Sequence, residues 1–350
     1  MSGANARPKD IMPNRRRMWS VDALLLATTL GSMCAALCIG PVPITLRDVL
    51  TTLTAPLTHH VADSLTTAVV WDIRFPRVVL ESLVGASLAA AGLAFQALLR
   101  NDLAEPFTTG VSAGASVGAG VVIVAGATTV IDGLLLPIAA FVGGTAVLVL
   151  TYASARRSGR LDVRSMLLLG VVATSFLFAV QMLLLRLAGK NSDQILGWLM
   201  GSLADATWRD CGLLVGFTAV GIVMLANQAY AMNLFAVGEI AAQQLGIDVE
   251  RFKRIMVLSA SLLAAATVSV CGIVAFVGLV VPHIARKLAG TPDHRVVLPL
   301  TALCGAIMMI WSDTIARIVL GGDVIPVGVV TAFWGAPFFW WLLKRSASRR

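Results

Sequence analysis

Long apolar runs alternate along this chain with short polar segments rich in arginine, and none of the runs shows a period-two pattern. An apolar stretch of about 20 residues crosses roughly 30 Å of hydrocarbon as a helix. Lipid offers the backbone no hydrogen-bond partners, so without period-two alternation helices are favoured over a barrel. Ten spans are predicted, over 20–40, 77–99, 107–126, 134–155, 165–187, 208–227, 254–274, 275–290, 296–320 and 325–343. The fold class expected is an all-α polytopic membrane protein. Residues 19–345 form one ten-helix domain with a polar segment near 236–252, flanked by short tails at 1–18 and 346–350. Spans 2–5 and 7–10 are separated by one span, so equivalent halves would run in opposite directions, as inverted repeats do.

Composition agrees: 57% of the residues are hydrophobic, only 13% are charged, and mean hydropathy is +0.85. With the N-terminus inside, the inner segments collect 20 of the 27 Lys and Arg. That bias places both ends in the cytoplasm. It also accounts for the net charge of +8 without any nucleic-acid partner. Arg15, Arg16 and Arg17 before an apolar run resemble a secretory leader, but the run from Val21 to Gly40 is long and lacks a small-x-small cleavage site, so it reads as the first span.

Several function classes lose support on missing motifs. There is no G-x-x-x-x-G-K-[ST] loop to bind ATP, and neither HExxH nor GxSxG for an intramembrane enzyme. Cys34, Cys38, Cys211, Cys271 and Cys304 lack metal-ligand spacing, and no metal site is expected. An ion-coupled secondary transporter remains the alternative of a different class. It needs ionisable groups deep in the bundle, and only Glu81 and Asp313 qualify. Span 3 is rich in glycine (Gly110, Gly114, Gly118, Gly120), and Pro282, Pro326 and Pro337 interrupt spans 8 and 10. Such helices either line a cavity or pack closely through small residues.

Between Gly238 and Gly246 the chain reads GEIAAQQLG, a polar, helix-prone piece between apolar runs. Glu239 sits in its first turn, where the helix dipole favours an acid, Ala242 and Leu245 share one face, and Gly246 stops the helix. Taken alone it is an interfacial connector. Its neighbours carry a resemblance, however. The stretch WDIRFPRVVLESLVGASLAAAGLAFQALLRNDLAEPFTTGVSAG, then GEIAAQQLGI, FVGLVVPHIARKLAG with DHRVVLP, SDTIARIV and IPVGVVTAFWGAPFFWWLL follow one another in order. Over roughly 20–345 the chain resembles the permease subunit of the binding-protein-dependent ABC importers for iron–siderophores, haem and vitamin B12.

The resemblance implies a ten-helix subunit that pairs with a second copy or a close paralogue in the bacterial cytoplasmic membrane. It implies two cytoplasmic ATPases, which hold ATP and Mg, and a periplasmic or lipid-anchored binding protein. It assigns Gly238, Glu239, Ala242, Leu245 and Gly246 to ATPase coupling. Arg74, Arg77 and Arg317 match outward arginines that dock the binding protein, snorkelling to headgroups being the plainer reading. Spans 5 and 10 are expected to line the path, with Ala173, Thr174, Ser175 and Ala179 as its wall and Ser112 and Gly114 near a gate. Gln96, Asn101, Asp102, Glu105 and Pro106 are expected to form a tight turn supporting that gate, or to touch substrate. His283 and His294 are expected to be structural. Ferric siderophore is the first substrate expected, then haem, then cobalamin; His59 and His60, in an outer loop, are the residues most able to touch a metal chelate.

Overall fold

Hydropathy places the helices and small residues decide how closely they meet. The computed structural model describes residues 15–58, 64–131, 133–157, 159–320 and 324–347; His59 and His60 lie outside them. Helix α1 (Arg15–Cys38) leads to two outer helices, α2 (Leu46–Thr58) and α3 (Ser64–Ala68). A π-helical turn, Val69–Arg74, joins α3 to α4 (Phe75–Leu99). Then come α5 (Val111–Val124), α6 (Leu135–Ser154), a two-stranded hairpin of β1 (Arg156–Arg157) and β2 (Arg160–Leu161), and α7 (Val163–Leu187). The rest of the chain forms α8 (Ser192–Leu199), α9 (Trp208–Val237), α10 (Glu239–Gln244), α11 (Val249–Cys271), α12 (Val277–Ala289), α13 (His294–Ile318) and α14 (Val327–Ala347).

Ten of these helices occupy the ten predicted stretches, and seven carry segments long and apolar enough to cross a membrane. Two predicted spans are shorter than expected. At 1.5 Å per residue, α5 and α12 are each about 20 Å long, well under a hydrocarbon thickness. The cause is that both start inside the bundle. Gly110, where α5 begins, lies beside Val147 and Gly170, and Gly278 of α12 lies against Gly92 of α4. Helix α9 runs ten residues beyond its predicted end, because polar Asn227, Gln228 and Asn233 interrupt the apolar run without interrupting the helix.

Lipid is as apolar as leucine, so helix association here relies on close packing rather than on hydrophobic transfer. Three glycine pairs bring backbones together. A Cβ on Gly85 of α4 would stand 2.1 Å from the Gly305 oxygen of α13, one on Gly92 would stand 1.9 Å from the Gly278 oxygen of α12, and one on Gly114 of α5 would stand 2.4 Å from the Gly143 oxygen of α6. Gly114 is therefore a packing residue between α5 and α6.

The contacts follow an inverted repeat. Helices α4–α7 and α11–α14 form the halves, α9 packs against both α4 and α11, and each half inserts its first helix into the other: α4 against α12 and α13, α11 against α5 and α6. A capping box starts α9, with the Thr207 hydroxyl accepting from the Asp210 amide and the Asp210 carboxylate accepting from the Thr207 amide. Where α4 and α9 begin, Phe75 stacks edge-on with Trp71 and Trp208, and the Trp208 indole donates to the Trp71 carbonyl at 2.9 Å.

Candidate functional site

Gly238 (φ +144°) turns the chain sharply between α9 and α10, a conformation that side chains resist. The six-residue α10 is pinned by Ala242, which is fully buried beneath it. Ala242 and Leu245, expected to share one face, thus differ: Ala242 packs inward and is no part of an exposed surface. The exposed apolar residues are instead Val237 (76% exposed), Ile240 (74%) and Leu245 (62%). Glu239 is half exposed, and its carboxylate lies 2.7 Å from the buried Lys253 ammonium of α11. Gly246, with φ +87°, reverses the chain after the helix.

The polar turn after α4 binds α12. Gln96 donates from Nε2 to the Gly278 and Leu279 carbonyls at 3.3 and 3.2 Å, and its Oε1 accepts from Arg286. Asp102 pairs with the same arginine at 3.0 Å. Glu105 Oε1 accepts the Phe276 backbone N–H at 3.0 Å, holding a residue at φ +69° just before α12. These groups thus tie the end of α4 and the turn after it to the break between α11 and α12.

Helices α7 and α14 leave wide apolar faces uncovered. Along α7, Leu168, Val171, Val172, Phe176 and Leu183 are exposed at helical spacing, and Ser175 and Ala179 share that face. Ala173 and Thr174 are half-buried, and Gly170 is buried against the Thr108 carbonyl, so the predicted wall splits between two faces of one helix. Ser112 is half-buried near the start of α5. Phe333, Trp334 and Trp340 are exposed along α14. Beside α14 runs a groove of about 580 Å³, floored by Met200, Ile273 and Gly328 and edged by Phe333 and Pro337.

The three outer arginines are turned into the protein, which corrects their expected outward aim. Arg74 donates to the Leu37 carbonyl at 2.6 Å and to Cys38 at 3.2 Å, satisfying carbonyls orphaned at the end of α1, and also to the Val42 carbonyl in the loop beyond it. Arg77 grips Asp313 with two parallel hydrogen bonds, Nε to Oδ2 at 2.8 Å and Nη2 to Oδ1 at 2.9 Å. Arg317 Nε lies 3.1 Å from the same carboxylate, and Glu81 lies 3.8 Å from Arg77 and 3.7 Å from Arg317. Two guanidinium groups and two carboxyl groups thus form a buried tetrad between α4 and α13.

Among the described residues no group of three His, Cys, Asp or Glu could hold a metal ion. His294 Nδ1 meets Asn233 Oδ1 at 2.7 Å, and Asn233 donates to Asp293 at 2.7 Å, tying the end of α9 to the start of α13. Hydrogen bonds from Arg295 hold the Asp293 carboxyl down at about 2. The ring of His283 packs against Phe338. Sequence reasoning missed Lys253, whose signal was the i, i+3 pair with Glu250, and Phe276, for which there was none.

Comparison with known proteins adds a second line of evidence. The model of the FecCD transport family matches residues 26–345. The cobalamin import system permease protein BtuC of Halobacterium salinarum is 38% identical over 93% of this chain and 95% of its own. The vitamin B12 import system permease protein BtuC of Vibrio cholerae is 39% identical over 81% of this chain and 85% of its own. A solved metal-chelate type ABC transporter in an inward-facing conformation superposes with a TM-score of 0.81 at 26% identity, covering 95% of this chain and 100% of that one.

Proposed function

Since the chain belongs to the FecCD transport family of ABC importer permeases, we propose that it forms half of the path by which a bulky metal chelate enters the cell. It is a multi-pass membrane permease subunit and not itself an ATPase; ATP is bound by partner ATPases. A second copy, or a close paralogue, covers the exposed faces of α7 and α14, and the path runs between them. The ATPases dock on Val237, Ile240 and Leu245 around α10, and their closure on ATP switches the pair between outward- and inward-open shapes. A binding protein delivers substrate at the outer face. There the Arg77–Asp313–Arg317–Glu81 tetrad fixes the α4–α13 corner on which the partner sits.

The observation that carries this reading is the uncovered apolar stripe of α7, from Leu168 to Leu183, in a chain whose α4, α11 and α13 are mostly buried. Cobalamin is the substrate we place ahead of ferric siderophore and haem, because one cobalamin permease matches this chain almost end to end. The test is ATP hydrolysis by the reconstituted importer with its binding protein. Cyanocobalamin is expected to stimulate it severalfold; stimulation by a ferric siderophore or haem with none by cyanocobalamin would overturn the assignment.

A further inference from the structure

Lys253 is out of place among its neighbours. Arg251 and Arg254, on either side of it, are exposed, whereas Lys253 is only 6% exposed. A buried ammonium costs stability unless its three donors find acceptors. Here they find one in each of three elements. Nζ lies 2.7 Å from Glu239 Oε1 of α10, 3.4 Å from Glu250 Oε1 of α11 and 3.5 Å from the Leu161 carbonyl of β2. Glu250 closes the triangle, since its Oε2 accepts the Leu161 N–H at 2.8 Å. The backbone of Leu161 is therefore held on both sides, by an ammonium and by a carboxylate.

One residue further on, Asp162 caps α7. Its Oδ1 accepts from the amides of Arg164 and Ser165 at 3.0 and 3.3 Å, and its Oδ2 accepts from the Ser165 hydroxyl at 2.7 Å. Hydrogen bonds from Ser165 hold the Asp162 carboxyl below the usual range, so the cap stays ionised. From the single charged side chain of α10 to the first turn of α7 the connection is one ammonium, one carboxylate and two residues of backbone. A paired buried charge has a fixed geometry, and displacing one member displaces the others or breaks the set.

We infer that Lys253 is a positioning residue that couples α10 to α7 through the β1–β2 hairpin, so that movement of α10 reorients the helix with the exposed apolar stripe. The inference rests on the docking of the ATPases at α10. A purely structural salt bridge would hold α11 and the hairpin together but would leave the response of α7 to ATP unchanged.

Hydrogen exchange on the assembled importer separates these cases without knowledge of the substrate. In the parent, ATP is expected to change exchange both in α10, at Ala241–Gln244, and in the first turn of α7, at Arg164–Met166, by about tenfold in the latter. In Lys253→Met the α10 response persists while the α7 response falls below about twofold. Glu250→Ala, which frees the Leu161 amide without touching Glu239, reads the same link if Lys253→Met does not assemble. Lys253→Arg, which keeps charge and donors, restores the α7 response. An α7 response of parental size in both Lys253→Met and Glu250→Ala overturns the coupling alone. Absence of an ATP response in parental α10 overturns the docking reading, and the coupling with it.

Discussion

Replacing Asp313 with alanine is expected to destabilise the chain by about 3–5 kcal/mol, the cost of leaving a buried charge without its partner. Asp313 is the hub of the tetrad: both oxygens bond Arg77, and one also lies 3.1 Å from Arg317. All four side chains are less than a tenth exposed. Without Asp313, Glu81 faces two buried guanidinium groups at 3.7 and 3.8 Å and cannot satisfy both. Removing all four ionisable side chains has a different result, because desolvation and attraction disappear together. The combined variant Arg77→Met, Glu81→Leu, Asp313→Leu and Arg317→Met is expected to stay within about 2 kcal/mol of the parent. Unfolding in detergent, followed by loss of helical signal, checks both. Equal destabilisation of the single and the fourfold variant would contradict the geometry.

A single methyl group on Gly92 is expected to have a comparable effect. Its Cβ would lie 1.9 Å from the Gly278 oxygen and 2.4 Å from the Gly278 Cα, backbone atoms that no rotamer change can move aside. Overpacking a close contact typically costs about 1–3 kcal/mol, and a backbone clash lies at or above the top of that range. Helix α4 can relieve the clash only by separating from α12, which also breaks the Gln96 bonds to Gly278 and Leu279 and pulls Glu105 from Phe276. Gly212→Ala is the control. Nothing lies within 4 Å of a Cβ at that helical position, so the substitution is expected to be neutral or slightly stabilising. If Gly92→Ala unfolds at the same denaturant concentration as Gly212→Ala, the α4–α12 contact is wrong.

The spans were legible because hydropathy answers to lipid directly: a run long enough to cross is apolar whatever it packs against. Partners distant in sequence were not. Arg77 and Asp313 are 236 residues apart, and only the i, i+4 spacing of Asp313 and Arg317 hinted that the arginines had an acid nearby. An arginine beside a span end reads as surface until the fold supplies its carboxylate. Ala242 was misplaced for a similar reason. In a six-residue helix every face has nearly equal claim to solvent, and the core beneath it, built from α9 and α11, decides. The short α12 looked like an ordinary span because the apolar irregular segment 272–276 precedes it, and hydropathy cannot see a broken helix. The glycines of span 3 had two readings. Gly114 is settled by 2.4 Å to a neighbouring backbone oxygen.

The central claim is that this chain is a passive path whose shape is set from inside, through the surface around α10. The direct measurement is ATP-driven substrate uptake by vesicles holding the complete importer, with Ile240→Arg and Leu245→Glu introduced together into the permease. Both side chains are exposed, so the variant is expected to fold and insert as the parent does. Uptake is expected to fall to background because the partner ATPases lose their grip. Uptake at the parental rate, with the permease present in equal amount, would contradict the account.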